Sequence, residues 1–134
     1  VRVIRAFALD TARHLALAGR YPGFLAWPDR WVSWWLGAMP AGLAAIRRHK
    51  QDVIWSTYPI ATAHLIGLGL KSLTGVPWVA DFRDSMTEED YPADPRVRGL
   101  YRWIEHSTVW RADRVVFTTD GTREILVPTS PAEE

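Results

Sequence analysis

A chain of 134 residues with 48% hydrophobic content can enclose one core and gives no reason to expect two domains. Sixteen basic against fifteen acidic side chains leave a net charge of +1, which supplies no broad field for nucleic acid, so a bound anion must be gripped by local geometry. The lack of cysteine excludes disulfides and thiolate metal sites and suits a cytoplasmic location; the histidines at 14, 49, 64 and 106 lack the close spacing of zinc ligands, so neither a metal nor a cofactor is expected.

The chain in order begins with residues 1–7, which read as a strand with Val1, Val3, Arg5 and Phe7 on one face. Asp10 or Thr11 caps a short helix over 12–18 that stops at Gly19, and Tyr21-Pro22-Gly23 is a turn. A Trp-rich segment opens at Pro28, where Asp29 is the candidate cap of a helix running toward Arg47 and Arg48. Pro40 should kink or divide that helix, because an interior proline removes a donor and crowds the preceding turn. Five of the eight tryptophans, at 27, 31, 34, 35 and 55, lie in this first half and suit either core packing or an interface. The longest apolar stretches, 31–46 and 60–70, are interrupted and fall short of the about 20 residues that a membrane span needs. No segment has a signal-peptide layout.

A second strand spans 52–55, short and largely apolar as a buried parallel strand should be. Ser56-Thr57-Tyr58-Pro59 turns it into a helix over 60–73, with Pro59 in the first turn, and the small residues Ala61, Ala63, Gly67 and Gly69 predict close packing. Thr74-Gly75 ends that helix, and a third strand covers 76–82. Residues 85–94 form an acidic loop, after which Asp94-Pro95 starts a helix with an inward stripe of Val97, Leu100, Tyr101, Ile104 and Thr108. Glu105, among Arg98, Arg102 and His106, reads as part of a solvated ion-pair face. A fourth strand covers 113–118, Thr119-Asp120-Gly121-Thr122 caps a last short helix, and 127–134 is a tail.

Alternating strands and helices predict an α/β fold: a Rossmann-like three-layer sandwich over residues 1–126, with a mostly parallel sheet of about four strands flanked by helices. Right-handed crossovers bring the strand carboxyl ends and helix amino-termini to one rim, where open parallel sheets bind ligands. That rim collects residues 56–58, 81–84 and 118–122. Strand alternation puts Val79, Asp81 and Arg83 on one side and Ala80, Phe82 and Asp84 on the other. An arginine fork there suits phosphate, carboxylate or paired hydroxyls, and flanking carboxylates can hold it or take hydrogen bonds from a sugar. The first turn of the next helix, after Thr57 and Tyr58, offers free amides to an anionic group. His64 reads as either a core histidine or a pocket border. No glycine-rich phosphate cradle, catalytic triad or zinc-protease helix is present.

The ordered series Asp52-Val53-Ile54-Trp55-Ser56-Thr57-Tyr58-Pro59, His64-Leu65-Ile66-Gly67 and Thr74-Gly75-Val76-Pro77-Trp78-Val79-Ala80-Asp81-Phe82-Arg83-Asp84 resembles the amino-terminal half of glycosyltransferase family 4 enzymes of the GT-B fold. Trp103-Ile104-Glu105 and Ala112-Asp113-Arg114-Val115-Val116-Phe117-Thr118-Thr119 resemble the helix and strand that follow there, so the likeness covers roughly residues 52–122. The resemblance implies retaining, metal-free transfer of a sugar from a nucleotide-sugar donor to a glycan or cell-envelope acceptor. The acceptor would be held by this domain and the donor by a second Rossmann-like domain across a cleft. Arg83 and Asp84 fall where many members carry a His-Asp pair and are the implied catalytic residues, with Thr57, Tyr58, His64 and Asp81 bordering substrate.

By this resemblance, the family's first strand and glycine-rich loop are expected ahead of Val1 and its donor domain beyond Glu134. The chain thus reads as an internal piece of a longer cytoplasmic enzyme, inactive alone, with Trp34 and Trp35 available for peripheral contact with a membrane-borne acceptor. The alternative from another class is a non-catalytic binding or assembly module, a homodimer joined through exposed sheet edges. A nucleotide-binding Rossmann domain is a third reading, disfavoured by the missing glycines.

Overall fold

Three short strands, β1 (Ile54–Thr57), β2 (Trp78–Phe82) and β3 (Arg114–Phe117), pair in parallel in the order β1-β2-β3 in the computed structural model, which describes residues 3–17 and 20–126. The helices are α1 (Thr11–His14), α2 (Trp34–His49), α3 (Ala61–Thr74), α4 (Pro95–Arg111) and α5 (Asp120–Leu126), with a 3-10 turn at Gly23–Ala26. The predicted tail over 127–134 and the stop at Gly19 lie outside the described residues. The Rossmann-like α/β class holds: α3 links β1 to β2 and α4 links β2 to β3, as parallel neighbours require.

The pairing register aligns Ile54 with Trp78, Ser56 with Ala80, Thr57 with Asp81, and Phe82 with Phe117. Aligned residues of parallel strands point the same way, so Ile54, Ser56, Trp78, Ala80 and Phe82 share one face. That face is buried against α3, and Tyr101 and Ile104 of α4 join the same core. On the other face lie Trp55, Thr57, Val79, Asp81 and Val116, and Trp55 is 60% exposed. Of the eight tryptophans, only Trp78 is fully buried; Trp34 packs against the core, whereas Trp35, Trp55, Trp103 and Trp110 are exposed.

Close approach of α3 to its neighbours rests on small residues. A Cβ at Gly67 would lie 2.5 Å from Trp78 Nε1, one at Gly42 would meet Leu70 at 2.8 Å, and one at Gly69 would meet Met39 at 2.9 Å. Gly75 ends α3 in the left-handed conformation, φ 72°, where a side chain would be strained.

Four expectations need correction. Residues 3–7 form no strand: Phe7 packs its backbone on Gly37 of α2, and Leu9 exchanges hydrogen bonds with the Ser33 hydroxyl, 2.8 Å and 2.9 Å, so this segment is tied to α2 and leaves β1 as an edge of a three-stranded sheet. The first helix is a single turn, capped by Asp10 as expected, with the Asp10 amide donating to His14 Nδ1 at 2.9 Å and Leu15 as its carboxyl cap. Pro40 does not divide α2, which runs unbroken through it. Asp29 does not cap α2. Its Oδ1 accepts from the Trp31 amide, while Oδ2 accepts from the Thr62 amide at 2.8 Å and the Thr62 hydroxyl at 2.9 Å, so it caps the start of α3 instead.

Strand limits also shift toward the carboxyl end. Residues 52–53 stay outside β1, and Ser56 and Thr57 lie within it rather than in a turn; Pro59 then precedes Ile60, the N-cap of α3. Asp113 precedes β3 and works at the opposite end of the sheet. Its Oδ2 accepts from Lys71 Nζ at 2.7 Å and from the Trp78 amide at 2.7 Å, and these contacts lower its pKa, the lysine contact most. α4 begins as read, with Asp94 Oδ1 accepting from the Arg96 amide at 2.8 Å and Pro95 in the first turn.

Candidate active site

The carboxyl ends of the strands are stitched into one rim by hydrogen bonds that the topology makes available. The Tyr58 amide donates to the Asp81 carbonyl at 3.0 Å, and the Thr118 hydroxyl donates to the Arg83 carbonyl. On the open face, the Thr57 hydroxyl donates to Asp81 Oδ2 at 3.0 Å, and Arg83 Nε stands 3.8 Å from the same oxygen. Asp81 is nearly buried, yet the Arg83 side chain is 65% exposed. The arginine thus turns its Nε toward a held carboxylate in a loose ion pair, beyond hydrogen-bond reach, while the rest of its fork reaches solvent. This is the arrangement that strand alternation predicts for Asp81 and Arg83. Asp84 is exposed and makes no hydrogen bond or ion pair among the described residues.

Tyr58 is half-buried beside this cluster. Burial, then the neighbouring Tyr91, Glu105, Asp84 and Asp29, push its phenol up to about 12, so it stays a proton donor across the physiological range. The anion position at the start of α3 is filled from within: the Thr62 amide that an external anion could use is already bonded to Asp29.

His64 lies on the other side of the sheet from Asp81 and is fully buried. Trp78 Nε1 donates to Ser56 Oγ at 2.8 Å, and Ser56 Oγ lies 2.7 Å from His64 Nδ1. With one lone pair taken by the indole, the serine hydroxyl can donate to Nδ1. His64 Nε2 has no hydrogen-bond partner among the described residues, and the Phe82 ring lies tilted at 45° to the imidazole, centroids 4.7 Å apart. Burial lowers the histidine pKa to about 4, against the opposing pull of Asp81. Thr57, Asp81 and Arg83 are therefore brought together, Tyr58 and Asp84 flank them, and His64 stands behind the rim.

Glu105 is the residue whose place differs most from its sequence reading. It is 3% exposed rather than part of a solvated face. Its Oε1 accepts from the Met86 amide at 2.5 Å and the Thr87 amide at 3.1 Å, and its Oε2 accepts from the Thr87 hydroxyl at 2.7 Å. The signal was available: Glu105 follows Tyr101 by four residues and precedes Thr108 by three, which puts it on the inward stripe. Arg98, one of the cations grouped with it, instead donates to the Pro92 and Glu89 carbonyls at 2.8 Å and 2.7 Å.

Two cavities flank the rim elements. One of about 470 Å³ runs beside the β1 edge and is lined mainly by apolar groups of α2, α3 and β1; another of about 600 Å³ lies among Thr87, Glu88, Glu89, Arg102, Glu105, His106 and Leu126. Among the described residues, no three His, Asp or Glu side chains gather as a metal set, and no helix is long and apolar enough to cross a membrane.

A three-stranded parallel sheet flanked by helices, with a polar rim at its carboxyl end, defines a Rossmann-like domain. The chain belongs to the glycosyl transferase 4-like domain family, whose model matches residues 2–132. No curated protein and no solved structure matches it.

Proposed function

We propose that this chain is the acceptor-side domain of a retaining glycosyltransferase that moves a sugar from a nucleotide-sugar donor to a glycan or cell-envelope acceptor. The observation that carries this reading is Arg83, held at 3.8 Å by Asp81 and otherwise exposed at the rim. Its free guanidinium edge suits the phosphate of a donor or paired hydroxyls of a sugar, and the unpaired carboxylate of Asp84 can accept from an acceptor hydroxyl. Thr57 holds Asp81, Asp81 holds Arg83, and Tyr58 adds a neutral donor beside them. His64, fully buried on the opposite face and bonded to Ser56, does not border the rim as its sequence suggested. The donor would be held across a cleft by a second Rossmann-like domain. Membership of the glycosyl transferase 4-like family supports the transferase class, and in this reading the reaction runs with retention in a GT-B cleft in the cytoplasm. Contact with a membrane-borne acceptor through the Trp-rich segment would rest on Trp35, 40% exposed, since Trp34 packs inward.

The test is Arg83→Ala in the full-length transferase, assayed by nucleotide release and sugar transfer across UDP-, GDP- and dTDP-hexoses. Turnover is expected to fall about 100-fold, the scale on which one preorganised donor at a developing charge is worth. Stability should change by no more than about 0.5 kcal/mol, as for a surface substitution. Unchanged turnover, or loss of stability matching the loss of activity, would show that Arg83 only pins its loop.

A second reading, an assembly module without chemistry, draws on the free edge of β1 and the exposed Trp55 beside it. It predicts a dimer in light scattering that Trp55→Lys converts to monomer. A wild-type monomer at high concentration would dispose of it.

A further inference from the structure

Arg83 and Asp84 occupy an exposed step between two buried anchors. Phe82 closes β2 on one side and Met86 is fully buried on the other, so three residues, 83–85, bridge a gap between fixed points. The near anchor is secured by β2 pairing and by Thr118 on the Arg83 carbonyl. The far anchor has no sheet to hold it. What holds it is the Glu105 carboxylate, reached from α4 across nearly twenty residues of chain, which takes both successive amides at Met86 and Thr87 and the Thr87 hydroxyl. Ser85 adds a brace, its hydroxyl donating to the Thr87 carbonyl at 2.6 Å.

We propose that Glu105 is a positioning residue: by clamping the Met86 and Thr87 amides it fixes the far end of the segment that presents Arg83 and Asp84. This inference rests on the transferase reading above. The two amides can only donate and both go to Oε1, while the Thr87 hydroxyl, which could also accept, donates to Oε2; a carboxamide would therefore keep the acceptor for the amides but strip it of its charge. Hydrogen bonds to an ionised acceptor are also stronger than those to a neutral one. A solvated helix-face glutamate would neither be buried nor spend both oxygens on one loop. Catalytic geometry tolerates little displacement, so loosening one end of a three-residue bridge should reach turnover through Arg83.

The test compares Glu105→Gln and Thr87→Val with wild type in the full-length transferase, with Thr87→Val carrying the test if Glu105→Gln fails to fold. Hydrogen exchange at the Met86 and Thr87 amides should quicken about tenfold in Glu105→Gln, the difference between charged and neutral acceptors. Nucleotide release from the same UDP-, GDP- and dTDP-hexoses should show kcat falling about tenfold with KM nearly unchanged. In an Arg83→Ala background the further fall should shrink to a few-fold, the remainder reflecting Asp84 on the same segment, because part of the effect of Glu105 runs through Arg83. Unchanged exchange at the two amides overturns the clamp whatever the enzyme does. Faster exchange with unchanged kcat, or losses that multiply fully with Arg83→Ala, overturns the positioning role while leaving the transferase reading intact. If Arg83→Ala alone leaves kcat unchanged, the site assignment fails and the positioning role with it.

Discussion

Gly67→Ala is expected to destabilise the domain by about 3 kcal/mol, combining overpacking with damage to a buried hydrogen-bond chain. The added Cβ would lie 2.5 Å from Trp78 Nε1 and 2.6 Å from its Cε2, and the indole is fully enclosed. Nothing at the contact is a flexible tip that could swing aside. The indole must shift, and its hydrogen bond to Ser56 Oγ, which in turn holds His64, shifts with it. Gly99 is the matched control. It also sits in a helix, α4, but a Cβ there meets nothing within 4 Å, so Gly99→Ala should stabilise by up to about 1 kcal/mol through helix propensity. Urea unfolding midpoints of the two variants should therefore move in opposite directions. Equal shifts would mean that α3 does not lean on β2 at this distance.

His64 makes the stability of the domain depend on pH in a window set by its own burial. Its folded pKa of about 4 lies below the ordinary value of 6.5. Between those values the unfolded chain binds a proton that the folded chain refuses, so stability falls as pH drops through the window and is fully present above it. The separation corresponds to about 3 kcal/mol. Asp81 opposes the shift but lies across the sheet, and burial dominates. Between pH 7 and pH 4, wild type should lose about 3 kcal/mol more than His64→Gln, in which this proton site is gone and the carboxylates are shared. Parallel pH profiles for the two proteins would mean that His64 is solvated rather than sealed behind Ser56.

Much of the architecture was legible from residues alone, for reasons that are local. Asp94-Pro95 starts α4 because a side-chain acceptor and a missing N–H suit a first turn wherever they occur, and Gly75 ends α3 because it alone accepts φ 72° without strain. Alternation along β2 put Asp81 and Arg83 on one side, and their 3.8 Å approach follows from that periodicity. The inward stripe of α4 is also readable, and Glu105 lies on it although the surrounding arginines suggest a solvated face. A glutamate four residues after Tyr101 faces the same way as the tyrosine, and neighbouring arginines do not change that geometry.

The errors share a different origin. Residues 3–7 have strand-like composition, but a strand exists only through a neighbour, and this segment packs on Gly37 of α2 and does not pair with β1. Asp29 looked like the cap of the helix it precedes; its second oxygen found the Thr62 amide, 33 residues on. His64 looked undecided until Ser56 and Trp78, from two adjacent strands, enclosed it.

The sequence by itself determined the α/β order, the helix limits set by Asp94 and Gly75, and the charged end of β2, because periodicity, capping and backbone preference act within a few residues. It took the packing of the layers to bring Thr57 to Asp81 from the neighbouring strand, to place Asp29 in the anion position of α3, and to make Glu105 the anchor of the loop beyond Asp84. Those pairings join residues 18 to 33 apart, and a hydrogen bond across that distance is specified by how layers pack rather than by any local preference.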